Sequence, residues 1–193
     1  LIIFITQNLF FIRGNIRNLT WKLVEKIINY NPKDDPIQSR IETRVDGVPF
    51  YFYFDYQSDV KLAFGNYNKK EINFLKKNMN TNSIFIDVGS NIGFYTINIA
   101  NIFPKINFSK IISIEPNPIM IARQMENIEL ISKNKKEIKN KIILENYALS
   151  DSLENLQLDL DKGYGSASLK MDASKNSISV KTITLNEILE KNK

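Results

Sequence analysis

The stretch Phe85-Ile86-Asp87-Val88-Gly89-Ser90-Asn91-Ile92-Gly93-Phe94-Tyr95-Thr96 sets a carboxylate at the end of an apolar run and follows it with a turn flanked by two glycines. Gly89 and Gly93 let a backbone pass close to a ligand and pack tightly on a sheet, with the polar Ser90 and Asn91 between them. A second acid, Glu115, closes the apolar run Ile111-Ile112-Ser113-Ile114. It lies about 20 residues past the turn, near the distance at which a carboxylate reaches the ribose hydroxyls of a bound nucleoside. Glu115-Pro116-Asn117-Pro118 then leads into another helix, with Pro118 near an N-terminus where its missing N–H costs nothing. Strand, glycine turn, helix, strand and acid together read as a nucleoside-binding βαβ unit.

The turn also bears on which nucleoside. A dinucleotide site presents Gly-x-Gly-x-x-Gly so that a pyrophosphate rests on the helix N-terminus. Here the run from Gly89 to Gly93 lacks one glycine and is preceded by Asp87. A carboxylate repels a pyrophosphate but attracts the ammonium and sulfonium of S-adenosylmethionine, by about 1 to 4 kcal/mol at 4 Å depending on the local dielectric. The sign of the charge favours the methyl donor over NAD. Two rivals stay open on these residues: an NAD-linked oxidoreductase, and a non-catalytic module that holds a nucleoside or serves as a scaffold. Individual residues have plainer readings too. Asp87 could serve only the dipole of the helix that follows it, and Glu115 could be a surface carboxylate. Tyr95, Tyr147 and Tyr164 read as packing. Gly163-Tyr164-Gly165-Ser166-Ala167-Ser168 reads equally as a mobile active-site loop or a surface turn.

The surrounding elements must carry these residues. Residues 83–88 form an uninterrupted apolar strand, 92–103 a helix ended by Pro104, 111–114 a second strand, 118–131 a helix, and 141–144 a third strand. Short, continuously apolar strands alternating with helices indicate a parallel sheet covered on both faces. Further strands are expected at 155–160 and 178–183, a helix starting at 185–190, and a solvated helix end and loop at the Lys- and Asn-rich 133–141. Before the unit, 68–79 suits an amphipathic helix broken by Asn80-Thr81-Asn82-Ser83. Residues 40–55 read as two strands joined at Asp46-Gly47, with alternating aromatics more suited to a packed face than to stacking on bases or sugars. Leu23, Ile27 and Tyr30 stand at helical spacing in 19–30. The apolar opening, residues 1–12, is interrupted by Gln7-Asn8, stopped by Arg13, and shorter than the roughly 18 to 20 residues a span needs. It reads as a buried or partner-facing helix, with no membrane span evident.

Composition narrows the chemistry further. The 193 residues include no histidine and no cysteine. Disulfides, Cys nucleophiles, a His-based triad and a structural zinc site are therefore excluded from this sequence, and no metal site is expected. Lys and Arg number 26 against 21 Asp and Glu, giving +5, but the basic residues are interspersed with acids. That distribution reads as a solvated surface with mild anion attraction and no nucleic-acid footprint. The lack of export signals and of Cys sets a cytoplasmic expectation.

Phe85-Ile-Asp-Val-Gly-Ser-Asn-Ile-Gly-Phe-Tyr-Thr96, Ile114-Glu-Pro-Asn-Pro118, Asn127, Ala148-Leu-Ser-Asp151, the Gly163 to Leu169 loop and Val180-Lys-Thr-Ile-Thr-Leu185 together resemble the FkbM family of S-adenosylmethionine-dependent methyltransferases. The resemblance implies an α/β, Rossmann-like class I methyltransferase fold: a doubly wound parallel sheet over residues 65–193, preceded by a helical and β-hairpin extension over 1–64. It implies that Asp87, Gly89 and Asn91 line the methionine moiety, that Ser90 and Gly93 of the same turn are cofactor-binding too, and that Glu115 takes the ribose hydroxyls. Asn117 is placed beside the adenosine, with Asn146, Tyr147 and Ala148 against adenine. It also implies S-adenosyl-L-methionine as cofactor and O-methylation of a sugar or related hydroxyl-bearing metabolite, hence a small-molecule or glycan substrate. Two departures stand out. Gly65-Asn66-Tyr67-Asn68 lacks the acid the family tends to carry there, for which Glu71 is a substitute. The family's next core strand, with a Lys-x-Asp-x-Glu-Gly arrangement, is expected beyond Lys193. The non-Met start adds to the reading of an incomplete sequence, with the sheet and the general base completed elsewhere.

Overall fold

The computed structural model describes residues 40–53, 59, 62–63, 68–102, 105, 107–133, 135–151, 153, 155–160, 167–170 and 175–193. The expectations for residues 1–12, 19–30 and 65–67, and for Gly163 and Tyr164, fall outside the described residues. The chain divides into two compact units, Leu1–Tyr67 and Asn68–Lys193.

In the first unit β1 (Arg40–Val45) and β2 (Val48–Tyr53) form the antiparallel hairpin the sequence implies, with Val45 opposite Val48 at the turn. Asp46 and Gly47 both take left-handed φ, 49° and 82°, which is the twist a two-residue hairpin turn requires. Val48, Phe50 and Phe52 alternate onto one face and are fully buried, and the rings of Phe50 and Phe52 stack at 5.5 Å. These aromatics are a packed face. Tyr51, on the other side, carries the Arg40 guanidinium 4.5 Å from its ring centre.

The second unit opens with α1 (Lys69–Asn78), which buries Ile72. Asn80 stops it by a local turn: its amide donates to Ser83 Oγ, and its side-chain oxygen accepts from Asn82 N. Then come β3 (Ile84–Val88), α2 (Phe94–Ala100), β4 (Lys110–Ile114), α3 (Pro118–Ser132) and β5 (Ile142–Glu145). The strands pair in parallel in the order β3-β4-β5, with Val88 beside Ile114 and Ile114 beside Glu145. Parallel pairs need crossover helices, which α2 and α3 provide. The alternation of each strand assigns the faces. Ser113 reaches Thr96 of α2 and Gln124 of α3, whereas Ile112 and Ile114 pack on Ile183 and Ile188 from the end of the chain. The parallel sheet is thus covered on both sides, as an α/β doubly wound core is.

Beyond β5 the chain builds a second sheet in the order β6-β9-β7-β8 from β6 (Ala148–Leu149), β7 (Asn155–Asp159), β8 (Ser168–Lys170) and β9 (Ser177–Ile183). Only β6 and β9 run parallel; β7 is antiparallel to both β9 and β8. Ala148, Leu156, Leu158 and Val180 form its core. The chain then enters α4 (Leu185–Lys191) through a capping box, in which Glu187 N donates to Thr184 Oγ1 and Thr184 N donates to Glu187 Oε2. Thr184→Ala should therefore lower stability by about 1 kcal/mol. Urea unfolding would register it as a lower midpoint at unchanged slope, and an unchanged midpoint would contradict it.

Three local expectations change. Lys136–Lys141 is a 3-10 helix rather than a loop, because Ile138 is fully buried beneath it. Lys135 just before it ties the segment to α2 by donating to Asn101 O and Oδ1. β3 is only partly covered: among the described residues it pairs with β4 alone, and Ile84 and Val88 at its two ends are 48% and 54% exposed. The end of the 163–168 segment is part of a strand, since β8 begins at Ser168. No described helix is long and apolar enough to cross a membrane.

Candidate functional site

The parallel register brings the carboxyl ends of β3, β4 and β5 level, and the loops that leave them meet there. In open α/β sheets ligands bind in this position. Gly89 N and Ser90 N both donate to Ile114 O, at 2.9 and 3.1 Å, which docks the glycine turn over the end of β4. Within the turn Gly89, Asn91 and Gly93 take left-handed φ of 69°, 53° and 81°. Gly93 is also confined by space: a Cβ there would stand 2.7 Å from the Gln124 carboxamide.

Gly93 begins α2 but has no side chain with which to cap it. Asp87 supplies the cap from the preceding strand, its Oδ2 accepting from Thr96 N at 3.1 Å and from Thr96 Oγ1 at 2.7 Å. Burial pushes the Asp87 carboxyl above its ordinary value, against the opposing pull of the two Thr96 donors. Glu115 is held by amides on both sides. Its Oε2 accepts from Asn91 N at 2.8 Å and its Oε1 from Asn117 N at 2.9 Å. Burial raises this carboxyl too; the amides of Asn117 and Asn91 work against the rise, and the Asp87 charge adds to it.

A cleft of about 350 Å³ opens at these strand ends. Gly89, Asn91 and Glu115 line one side, Tyr147 and Ala148 another, and Leu158 and Leu169 from the second sheet, with Ala167 just before β8, supply an apolar wall. Asn91 Oδ1 is buried and has no hydrogen-bond partner. A buried acceptor left unpaired is costly unless a ligand donor meets it.

Of the residues singled out from the sequence, Gly89, Asn91, Glu115 and Ala148 line the cleft. Asp87, Ser90, Gly93, Asn117 and Asn146 stand behind or beside it, holding its walls. Asn117 caps α3, accepting from Ile119 N through Oδ1, and its Nδ2 is buried without a partner. Asn146 Nδ2 donates to the carbonyls of Glu115 and Pro116. Tyr147, read as packing, does pack on the sheet core and also lines the cleft. Sequence reading overlooked Thr96, Ser113, Gln124 and the wall residues Leu158 and Leu169. A usable signal for Gln124 is its helical register: it stands four residues after Met120 and three before Asn127, on a stripe that continues to Ile131, and all four residues are buried. Among the described residues no group of His, Cys, Asp and Glu is arranged to hold a metal ion.

No protein-family model and no curated protein matches the chain. Among solved structures it is similar to the FkbM methyltransferase from Methylobacillus flagellatus, at 11% identity and a TM-score of 0.40 over 57% of this chain and 24% of that one. It is similar to M. jannaschii TYW2 in complex with AdoMet, at 19% identity and a TM-score of 0.40 over 60% of this chain and 52% of that one. It is also similar to P. horikoshii TYW2 in complex with MeSAdo, at 17% identity and a TM-score of 0.44 over 71% and 51%. The chain thus spans between a quarter and about half of each of these proteins.

Proposed function

We propose that the cleft at the strand ends binds S-adenosyl-L-methionine and that the chain serves as a methyltransferase. The observation that carries this reading is the pairing of Asn91 Oδ1, a buried acceptor without a donor, with Glu115 in the same cleft. Each carboxylate oxygen of Glu115 takes one backbone N–H and keeps acceptor capacity for a ligand. Such a surface asks for hydrogen-bond donors and positive charge. The ribose hydroxyls and the ammonium of S-adenosylmethionine supply both, and the cleft falls within the size range of small-molecule sites. NAD offers ribose hydroxyls as well, but its pyrophosphate is repelled by an acid, and the charged residue among those lining the cleft is an acid.

In this reading Glu115 holds the ribose, Asn91 and the Gly89 backbone hold the methionine end, and Tyr147 with Ala148 and the Leu158 and Leu169 wall shelters the base. The bound cofactor supplies an activated methyl group, which explains how a sequence without His or Cys can serve a transferase. The chain's own part is to orient that group and keep water from it. Asp87 lies behind the turn and contributes its field, with Thr96 holding its carboxylate still. We further read residues 65–193 as the cofactor-binding domain, 1–64 as an extension, and the acceptor as a hydroxyl of a sugar or related metabolite. These extensions rest on the motif resemblance.

Melting of the 193-residue chain in the presence of S-adenosylmethionine or NAD tests the proposal. At a ligand concentration of 100 Kd, binding contributes about 2.7 kcal/mol, a rise of several degrees in Tm. S-adenosylmethionine and S-adenosylhomocysteine should give that rise and NAD none. The opposite pattern would hand the cleft to a dinucleotide, and no response to any of them would leave a scaffold.

A further inference from the structure

Behind the glycine turn runs a continuous line of buried polar side chains. Ser90 Oγ donates to Gln124 Oε1 at 3.1 Å, and Gln124 Nε2 donates to Ser113 Oγ at 2.6 Å. Ser113 Oγ lies 3.2 Å from Thr96 Oγ1, and Thr96 Oγ1 donates to Asp87 Oδ2 at 2.7 Å. All five residues are buried, with Thr96, Ser113 and Gln124 fully so. The anionic end sets the direction of the whole line. Thr96 has one hydroxyl proton, and the carboxylate takes it, so the Ser113 proton points to Thr96. Ser113 must then accept from Gln124, which turns the carbonyl of that carboxamide toward Ser90.

Gln124 therefore touches the turn in two ways: it accepts from Ser90 and fills the space in which a Gly93 side chain would sit. One turn along α3, Asn127 Nδ2 donates to Ile92 O at 3.1 Å. Two carboxamides from one helix thus grip the turn from behind, while Glu115 holds Asn91 N from the front. The grip has something to oppose, because Asn91 is a non-glycine residue with a left-handed φ of 53°.

We infer that Gln124 is a positioning residue for the cleft. It fixes the Gly89–Gly93 turn in the conformation that presents Gly89 and Asn91, and so sets the affinity for the nucleoside ligand without touching it. The affinity half rests on the cofactor reading above; the conformational half does not.

Two measurements on the 193-residue chain separate these halves: amide hydrogen exchange in the free protein, and calorimetric affinity for S-adenosylhomocysteine. Gln124→Met keeps the bulk and removes the hydrogen bonds; Ser90→Ala removes one of them from the other side. Both variants should speed exchange at Asn91 and Gly93 about tenfold, leave Ile112 and Leu144 in the strands unchanged, and weaken affinity three- to fivefold. Because they share one bond, the double variant should be no worse than Gln124→Met. Ile138→Val, a buried change away from the turn, serves as a control that lowers Tm without selective exchange there. Unchanged exchange at the turn in both single variants, strictly additive effects, or faster exchange with unchanged affinity would each overturn the inference. If the wild-type chain takes up no S-adenosylhomocysteine, the cofactor reading fails, and the exchange data alone decide whether Gln124 holds the turn.

Discussion

Replacing Glu115 with Ala should lower the affinity for S-adenosylhomocysteine about 100-fold and leave the chain folded. The carboxylate accepts from Asn91 N and Asn117 N, and in the proposed complex also from the ribose hydroxyls. Truncation removes the ribose acceptors and frees Asn91, whose left-handed backbone that contact holds. Hydrogen bonds to a charged group are worth about 1.5 to 3 kcal/mol each, and a loss of roughly 3 kcal/mol is a factor of about 100 in Kd. Glu115→Gln should fall between Ala and wild type, because its amide keeps one acceptor but turns an N–H toward one of the two backbone donors. Titration calorimetry reads both variants, with the far-ultraviolet circular dichroism of each as the control for folding. Weakening of less than threefold in the Ala variant would remove Glu115 from the ligand.

Asp87→Asn should separate the cationic donor from its neutral product. An Asn side chain keeps an acceptor for Thr96 N and Oγ1, so the cap on α2 survives while the buried charge is lost. Affinity for S-adenosylmethionine should fall about tenfold, the order of one partly screened charge interaction, and affinity for the neutral S-adenosylhomocysteine much less. Stability carries a second signature. Burial raises the Asp87 carboxyl above its ordinary value, so the folded chain binds that proton more tightly than the unfolded chain does. Its contribution to stability is fully present below the unfolded value, near pH 4, and is lost as pH rises through the raised folded value. The Asn variant has no such loss, so its stability relative to wild type should grow with pH across that window. Urea unfolding between pH 4 and 7 measures the difference. Parallel curves for the two proteins, or equal weakening toward both ligands, would show that the Asp87 charge plays no part.

Much of this arrangement was legible because backbone demands leave local marks. Asp46-Gly47 announced a hairpin turn by needing two left-handed residues, and the Gly89 to Gly93 turn announced itself in the same way. Apolar runs of strand length alternating with helical stretches identified the parallel core, and acids at their ends singled out Glu115, which lines the cleft, and Asp87, which caps α2 behind it. What was missed is what pairing across the chain decides. Residues 155–160 and 178–183 were readable as strands, yet nothing local says that β7 and β9 run antiparallel in a separate sheet and bring Leu158 and Leu169 to the cleft. Ile138 among lysines gave no helical period to read. The distinction between Asn91, which faces the cleft, and Asn117 and Asn146, which brace its walls, depends on which backbone groups each finds within reach. All three looked alike as polar residues beside a motif.

The outer edge of β3 is a side on which the described part of this sheet can be extended. Among the described residues β4 pairs one side of that strand, and Ile84 and Val88 stand more than 45% exposed along it. An apolar strand with open amides and carbonyls is a template on which another chain can assemble. Val88 belongs both to this edge and to the lining of the cleft. A strand added at this edge would therefore meet the cleft at Val88, whereas Ile84→Lys, on the same strand but outside the cleft lining, would place a gatekeeper charge away from the binding surface.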